Sequence, residues 1–105
     1  MEKIAPEFQE LQDKVGEWAD KTFGEKTSIH GTIHHLQEEV KHLAENPYSP
    51  QAYADVQILF MSLARKVGFT MDDIYLAVEA KHEINVSRIW ESPDEQGIIR
   101  HKTND

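Results

Sequence analysis

Ile29, Ile33, Leu36, Val40 and Leu43 follow one another at steps that alternate between four and three. At that spacing they fall on one stripe of a helix, a narrow seam of the kind that packs helix against helix. The seam therefore sets the fold class before any other feature is read. It predicts a helix over residues 28–46, with Thr27 or Ser28 as its cap. Asn46-Pro47-Tyr48-Ser49-Pro50 ends it, because two prolines within four residues cannot continue a helix.

Three more helices are predicted around it. The first spans 6–23, with Pro6 in its opening turn, Gly24 at its end and Phe8, Leu11, Val15, Trp18 and Ala19 as its apolar stripe. The third spans 50–67, opened by Ser49-Pro50 and closed by Gly68. Its apolar residues, from Tyr53 to Val67, cover almost every face. Such a helix is either central to a core or shared with another subunit. The fourth spans 71–90, and Thr70-Met71-Asp72-Asp73 reads as its capping box. Residues 92–105 form a polar, irregular tail apart from Ile98-Ile99. With only 5 Gly and 4 Pro in 105 residues, the expectation is one all-α, four-helix-bundle-like domain that oligomerises through its apolar helices.

Charge and composition narrow the partners. A net charge of −8 argues against a nucleic-acid polymer or an anionic membrane, both of which attract basic surfaces. The absence of cysteine removes disulfides, thiolate metal sites and a cysteine nucleophile. Met1-Glu2-Lys3-Ile4-Ala5-Pro6 lacks the apolar core of a secretory signal, and no apolar run nears the roughly 20 residues of a membrane span. The expected location is the cytoplasm.

Three groups of residues carry possible chemistry. Glu39 and His42 lie three apart on the second helix, so both can approach one divalent ion, with His35 orienting a ligand from behind. The plain alternative is a solvated helix face. Asp55 sits early in the apolar third helix, where an ionised carboxylate needs a cation or hydrogen bonds. A metal shared with Glu39 satisfies it, and so does Lys66 or the first-turn amides. Lys81, Asn85 and Arg88 share one face of the fourth helix and suit phosphate or other polar ligands, or else salt bridges to the surplus carboxylates. Trp18 reads as a core aromatic or as a wall for a bound base.

The order of segments resembles a known family. Thr22-Phe23-Gly24, His35-Leu36-Gln37-Glu38-Glu39-Val40, Ala54-Asp55-Val56, Arg65-Lys66-Val67-Gly68, Ala80-Lys81 through Trp90, and Ile99-Arg100-His101 follow the pattern of the all-α NTP pyrophosphohydrolases (MazG-like). The similarity is to the dATP/dGTP pyrophosphohydrolase branch of phages and bacteria, and it covers Trp18 to His101. It implies a helical bundle assembled as a homodimer or homotetramer. It also implies cleavage of a (deoxy)nucleoside triphosphate, dATP- or dGTP-like, to the monophosphate and pyrophosphate with Mg2+ or Mn2+.

By position, Glu38 and Glu39 correspond to the family's paired catalytic glutamates and Asp55 to its final metal-binding aspartate. Lys81, Asn85 and Arg88 correspond to phosphate or sugar contacts, and Trp18 to the border of the base. His42 stands where a third glutamate is expected, so the implied metal set is Glu39, His42 and Asp55. Ala52 replaces a further glutamate. Two readings compete with the enzyme: a nucleotide-binding or protein-interaction module on the same scaffold, favoured by His42 and Ala52, and a ligand-free helical oligomer in which Asp55 pairs with Lys66.

Overall fold

The computed structural model describes residues 6–24 and 27–103. Residues 1–5, read above for a signal, and 104–105, the end of the expected tail, lie outside the described residues. Four helices follow in order: α1 (Pro6–Phe23), α2 (Ile29–Glu45), α3 (Pro50–Lys66) and α4 (Met71–Ser87). No strand occurs among the described residues, and Trp90 and His101 form one isolated antiparallel bridge. The all-α expectation is met.

The punctuation is local chemistry. Pro6 and Pro50 open α1 and α3, where a missing N–H costs nothing. Ser28 Oγ accepts from Gly31 N at 2.9 Å and caps α2. Thr70 N donates to Asp73 Oδ2 at 2.9 Å while Asp73 N donates to Thr70 Oγ1 at 3.1 Å, a reciprocal capping box that starts α4. Gly68, at φ 95, takes the left-handed turn that releases the chain from α3.

One boundary differs by more than a residue: α4 ends at Ser87, not Trp90. Ser87 Oγ donates to the Ile84 carbonyl at 2.7 Å and Arg88 N to the Asn85 carbonyl at 3.2 Å, so the last turn tightens and the helix stops.

The chain divides into two compact units, residues 1–75 and 76–105. In the first, α2 and α3 pack as an antiparallel hairpin across the short 46–49 connection, where Tyr53 Oη donates to the Pro47 carbonyl at 2.9 Å. α1 lies on α3. A small cluster of Met61, Ala64 and Met71, with Ile74 against it, is buried here.

α1 does not bury the expected stripe. Phe8, Leu11 and Trp18 are exposed, while Gln9, Gln12 and Gly16 are buried. Gln12 Nε2 donates to the carbonyls of Met61 (3.2 Å) and Phe69 (3.1 Å), and Gln9 Oε1 accepts from Met71 N at 2.9 Å. The two amides join through Gln9 Nε2 to Gln12 Oε1 at 2.9 Å. A burial of amides is stable only when such bonds are complete, and these tie α1 to the end of α3 and the start of α4.

In the second unit the segment after α4 is ordered as a hairpin-like turn. Glu91 N donates to the Arg100 carbonyl and Lys102 N to the Ile89 carbonyl, both at 2.8 Å. The expectation of an irregular tail is corrected to that extent.

Candidate functional site

A cavity of about 570 Å³ opens between α1, α2 and α3 of the first unit, within the size range of small-molecule sites. Its lining on α2 runs through Ser28, Gly31, Thr32, His35 and Glu39, one face at three- and four-residue steps. The α3 side runs through Asp55, Ile58, Leu59, Ser62, Arg65 and Lys66. Because the two helices are antiparallel, Glu39 and Asp55 fall at one end while Ser28 and Lys66 fall at the other.

The acidic end is built around Glu39. Its side chain is only 16% exposed, and His35 Nε2 approaches Oε1 at 3.6 Å while His42 Nδ1 approaches Oε2 at 3.4 Å. Two exposed imidazoles from the same helix thus flank the two carboxylate oxygens. Asp55 lines the same cavity from α3. Lys66 is not its partner: Lys66 Nζ donates to Thr27 Oγ1 at 2.5 Å, at the far end of the hairpin. Ala52 is buried in the first turn of α3 and offers no donor.

The other wall is aromatic and cationic. Trp18 and Phe23 meet edge to face with ring centroids 5.3 Å apart, and both line the cavity. Arg65 lies over the buried Gly16 and reaches Asp20, with Nη1 at 3.2 Å and Nη2 at 3.3 Å from Oδ2.

The cavity thus gathers Trp18, His35, Glu39 and Asp55 from among the residues singled out in the sequence. Glu38 lies outside its lining, exposed beside His34 Nε2 at 3.8 Å. His42 also lies outside the lining and reaches it only through Glu39. Lys81, Asn85 and Arg88 stand on the second unit, where Arg88 Nη1 donates to Asn85 Oδ1 at 3.3 Å. Sequence reasoning missed Gly16, Asp20, Phe23, Arg65 and Lys66 as cavity residues. The signal available was Gly16 itself, since an isolated glycine inside an amphipathic helix usually has a packing reason.

Among the described residues, no three carboxylates or imidazoles converge closely enough to hold an ion alone. Mg2+ and Mn2+ do not require that, because such ions are commonly held by one or two carboxylates completed by water and substrate phosphates. Glu39 and Asp55 fit that donor set.

Four helices and a groove with carboxylates at one end define the class, the MazG-like NTP pyrophosphohydrolases. The chain belongs to the dATP/dGTP pyrophosphohydrolase family, whose model matches residues 11–105. A solved structure of the cyanophage S-2L MazG-like pyrophosphohydrolase, bound to dGDP and three catalytic Mn2+ ions per active site, is similar at a TM-score of 0.75 and 33% identity. The match covers 90% of this chain and 95% of that one. The Eaa protein of Salmonella phage P22 is 34% identical over 88 residues, which are 84% of this chain and 27% of the phage protein's length.

Proposed function

We propose that the chain hydrolyses a purine deoxynucleoside triphosphate to the monophosphate and pyrophosphate, as one functional domain acting in the cytoplasm. The observation that carries this reading is the groove itself. One cavity holds Glu39 and Asp55 at one end and Trp18 with Phe23 on its wall. The family match and the dGDP and Mn2+ bound by the cyanophage relative support it.

Glu39 and Asp55 would hold Mg2+ or Mn2+, with His35 and His42 flanking the Glu39 carboxylate. A divalent ion there supplies neutralisation of phosphate charge and a more acidic bound water. That supply matters for a chain of net charge −8, which otherwise repels a triphosphate. Glu38 is assigned no contact with the ion. Lys81, Asn85 and Arg88 stand on the second unit and are assigned no contact in this cavity.

The deciding assay is pyrophosphate release from dGTP and dATP with Mg2+ or Mn2+. Glu39→Gln and Asp55→Asn should each lower turnover about 100-fold or more, beyond the 10–100-fold typical of residues that only steady a ligand. His42→Asn should fall within that smaller range. No release from any nucleotide by the unmodified chain rejects the reaction.

A second reading, nucleotide binding without turnover, is favoured by one observation. Ala52 is buried in the first turn of α3 and gives the acidic end no third carboxylate. Turnover that appears only after Ala52→Glu with His42→Glu establishes that reading.

A further inference from the structure

The cyanophage relative holds three catalytic Mn2+ ions per active site beside its dGDP. The cavity of this chain has a poorer set of donors than that number asks for. Among the described residues, the carboxylates that line it are Asp20, Glu39 and Asp55. Asp20 is engaged by Arg65, which lies about 15 Å along α3 from Asp55 at 1.5 Å per residue. A ligand of Mg2+ or Mn2+ stands about 2 Å from its ion, so Asp20 and Asp55 are too far apart to share one. Groups just outside the lining do not fill the gap. Glu38 lies beside His34, and His42 meets Glu39 without lining the cavity. Ala52 stands one turn before Asp55 on the same side of α3, where a further carboxylate could reach the same ion, and it carries only a methyl group.

The charge of Glu39 and Asp55 together neutralises one divalent ion. A second ion beside the first would meet its full repulsion with no further carboxylate to bridge the two. From this donor set we propose that the chain itself holds one divalent ion, between Glu39 and Asp55, where its relative holds three. Any further ion has to arrive on the phosphates of the nucleotide, which are the other ligands such ions commonly take. The proposal rests on the nucleotide reading above, in which these two residues are the ion's ligands.

The test counts Mn2+ bound per chain by equilibrium dialysis, first against MnCl2 alone and then with dGDP, and needs no turnover. Salt at about 0.1 M screens the loose attraction of exposed carboxylates. The unmodified chain should bind one ion with Mn2+ alone and fewer than three with dGDP. Glu39→Gln and Asp55→Asn should each weaken that ion about tenfold or more with the helical circular dichroism unchanged. Glu38→Gln and Asp20→Asn should leave the count at one. Two or more ions with Mn2+ alone, or three with dGDP, overturn the proposal, since donors from outside this cavity must then complete the site. Binding of no Mn2+ overturns it too, whatever the pyrophosphate assay shows. It is also overturned if the single ion survives both Glu39→Gln and Asp55→Asn, or is lost with Glu38→Gln. One ion that depends on Glu39 and Asp55, without pyrophosphate release, leaves the one-ion site standing and rejects only the reaction.

Discussion

At the scale of single residues, Gly16 decides more than its size suggests. A glycine inside a helix costs about 1 kcal/mol relative to alanine, so its place in the middle of α1 needs a return elsewhere. The return is the passage of Arg65 to Asp20. Gly16→Ala tests this, because the atoms it meets belong to a side chain that can swing away and not to backbone. The fold should survive. The gain in helix propensity and the loss of a part-exposed ion pair roughly offset, so the melting midpoint should stay within the roughly 4–8 °C that 1 kcal/mol represents in a domain this small. A drop in midpoint well beyond that range would contradict the offset. Glu39 and Asp55 were legible as a candidate pair because a carboxylate within an apolar run is conspicuous. Arg65 was not, because a cation in the last turn of a helix already has a sufficient reason in the helix dipole.

At the scale of elements, caps and breaks were legible and packing faces were not. Ser28, Thr70 with Asp73, Gly68 and the two helix-opening prolines act on groups within a few residues, so local sequence suffices to place them. The buried face of α1 depends on carbonyls of Met61 and Phe69, 49 and 57 residues away, and nothing near Gln12 announces them. The turn after α4 is similarly hidden, since one side chain organises it. Asp94 Oδ1 accepts from Gln96 N and Ile98 N, both at 2.9 Å, Oδ2 accepts from Arg100 Nη1 at 2.5 Å, and Gly97 takes φ 78 beside it.

The Ile98 amide first, then Arg100, and after them the Gln96 amide, hold the Asp94 carboxyl below its usual range. A carboxyl with a lowered folded pKa stabilises the folded turn above its unfolded value of about 3.9, and that contribution is lost as pH falls through the lower folded value. The turn should therefore persist from neutral pH down to about 4 and open only below it. The Ile98 amide N–H, which donates to Asp94 Oδ1 at 2.9 Å, is the reporter. Its NMR resonance should move only below pH ~4, and Asp94→Asn should move it at neutral pH. A midpoint at or above the ordinary carboxylate value would refute the assignment.

At the scale of the whole molecule, the apolar faces outnumber the places to put them. The buried apolar cluster of the first unit is Met61, Ala64 and Met71 with Ile74 packed on it. Phe8, Leu11, Ile29, Ile33, Val40 and Phe60 are all exposed. Isolated exposed apolar residues are ordinary, but these repeat at helical spacing along α1 and along the α2 seam, and a repeated stripe marks a surface for another helix. A second copy of the chain supplies helices with the same stripes, which is the requirement of a self-complementary two-fold contact.

The α2 seam, legible from the first reading as a helix-packing stripe, therefore finds only part of its partner within its own chain. Sedimentation equilibrium at micromolar concentration should give a dimer or tetramer, and the melting midpoint should rise with protein concentration, because association stabilises by mass action. Leu11→Glu combined with Val40→Glu adds like charge to a chain already at −8 at two positions that do not line the cavity. It should lower the midpoint and make it independent of concentration. A monomer at every concentration, with a sharp and concentration-independent melt in the unmodified chain, would mean that the stripes stay in water and that the small cluster around Met61 suffices alone.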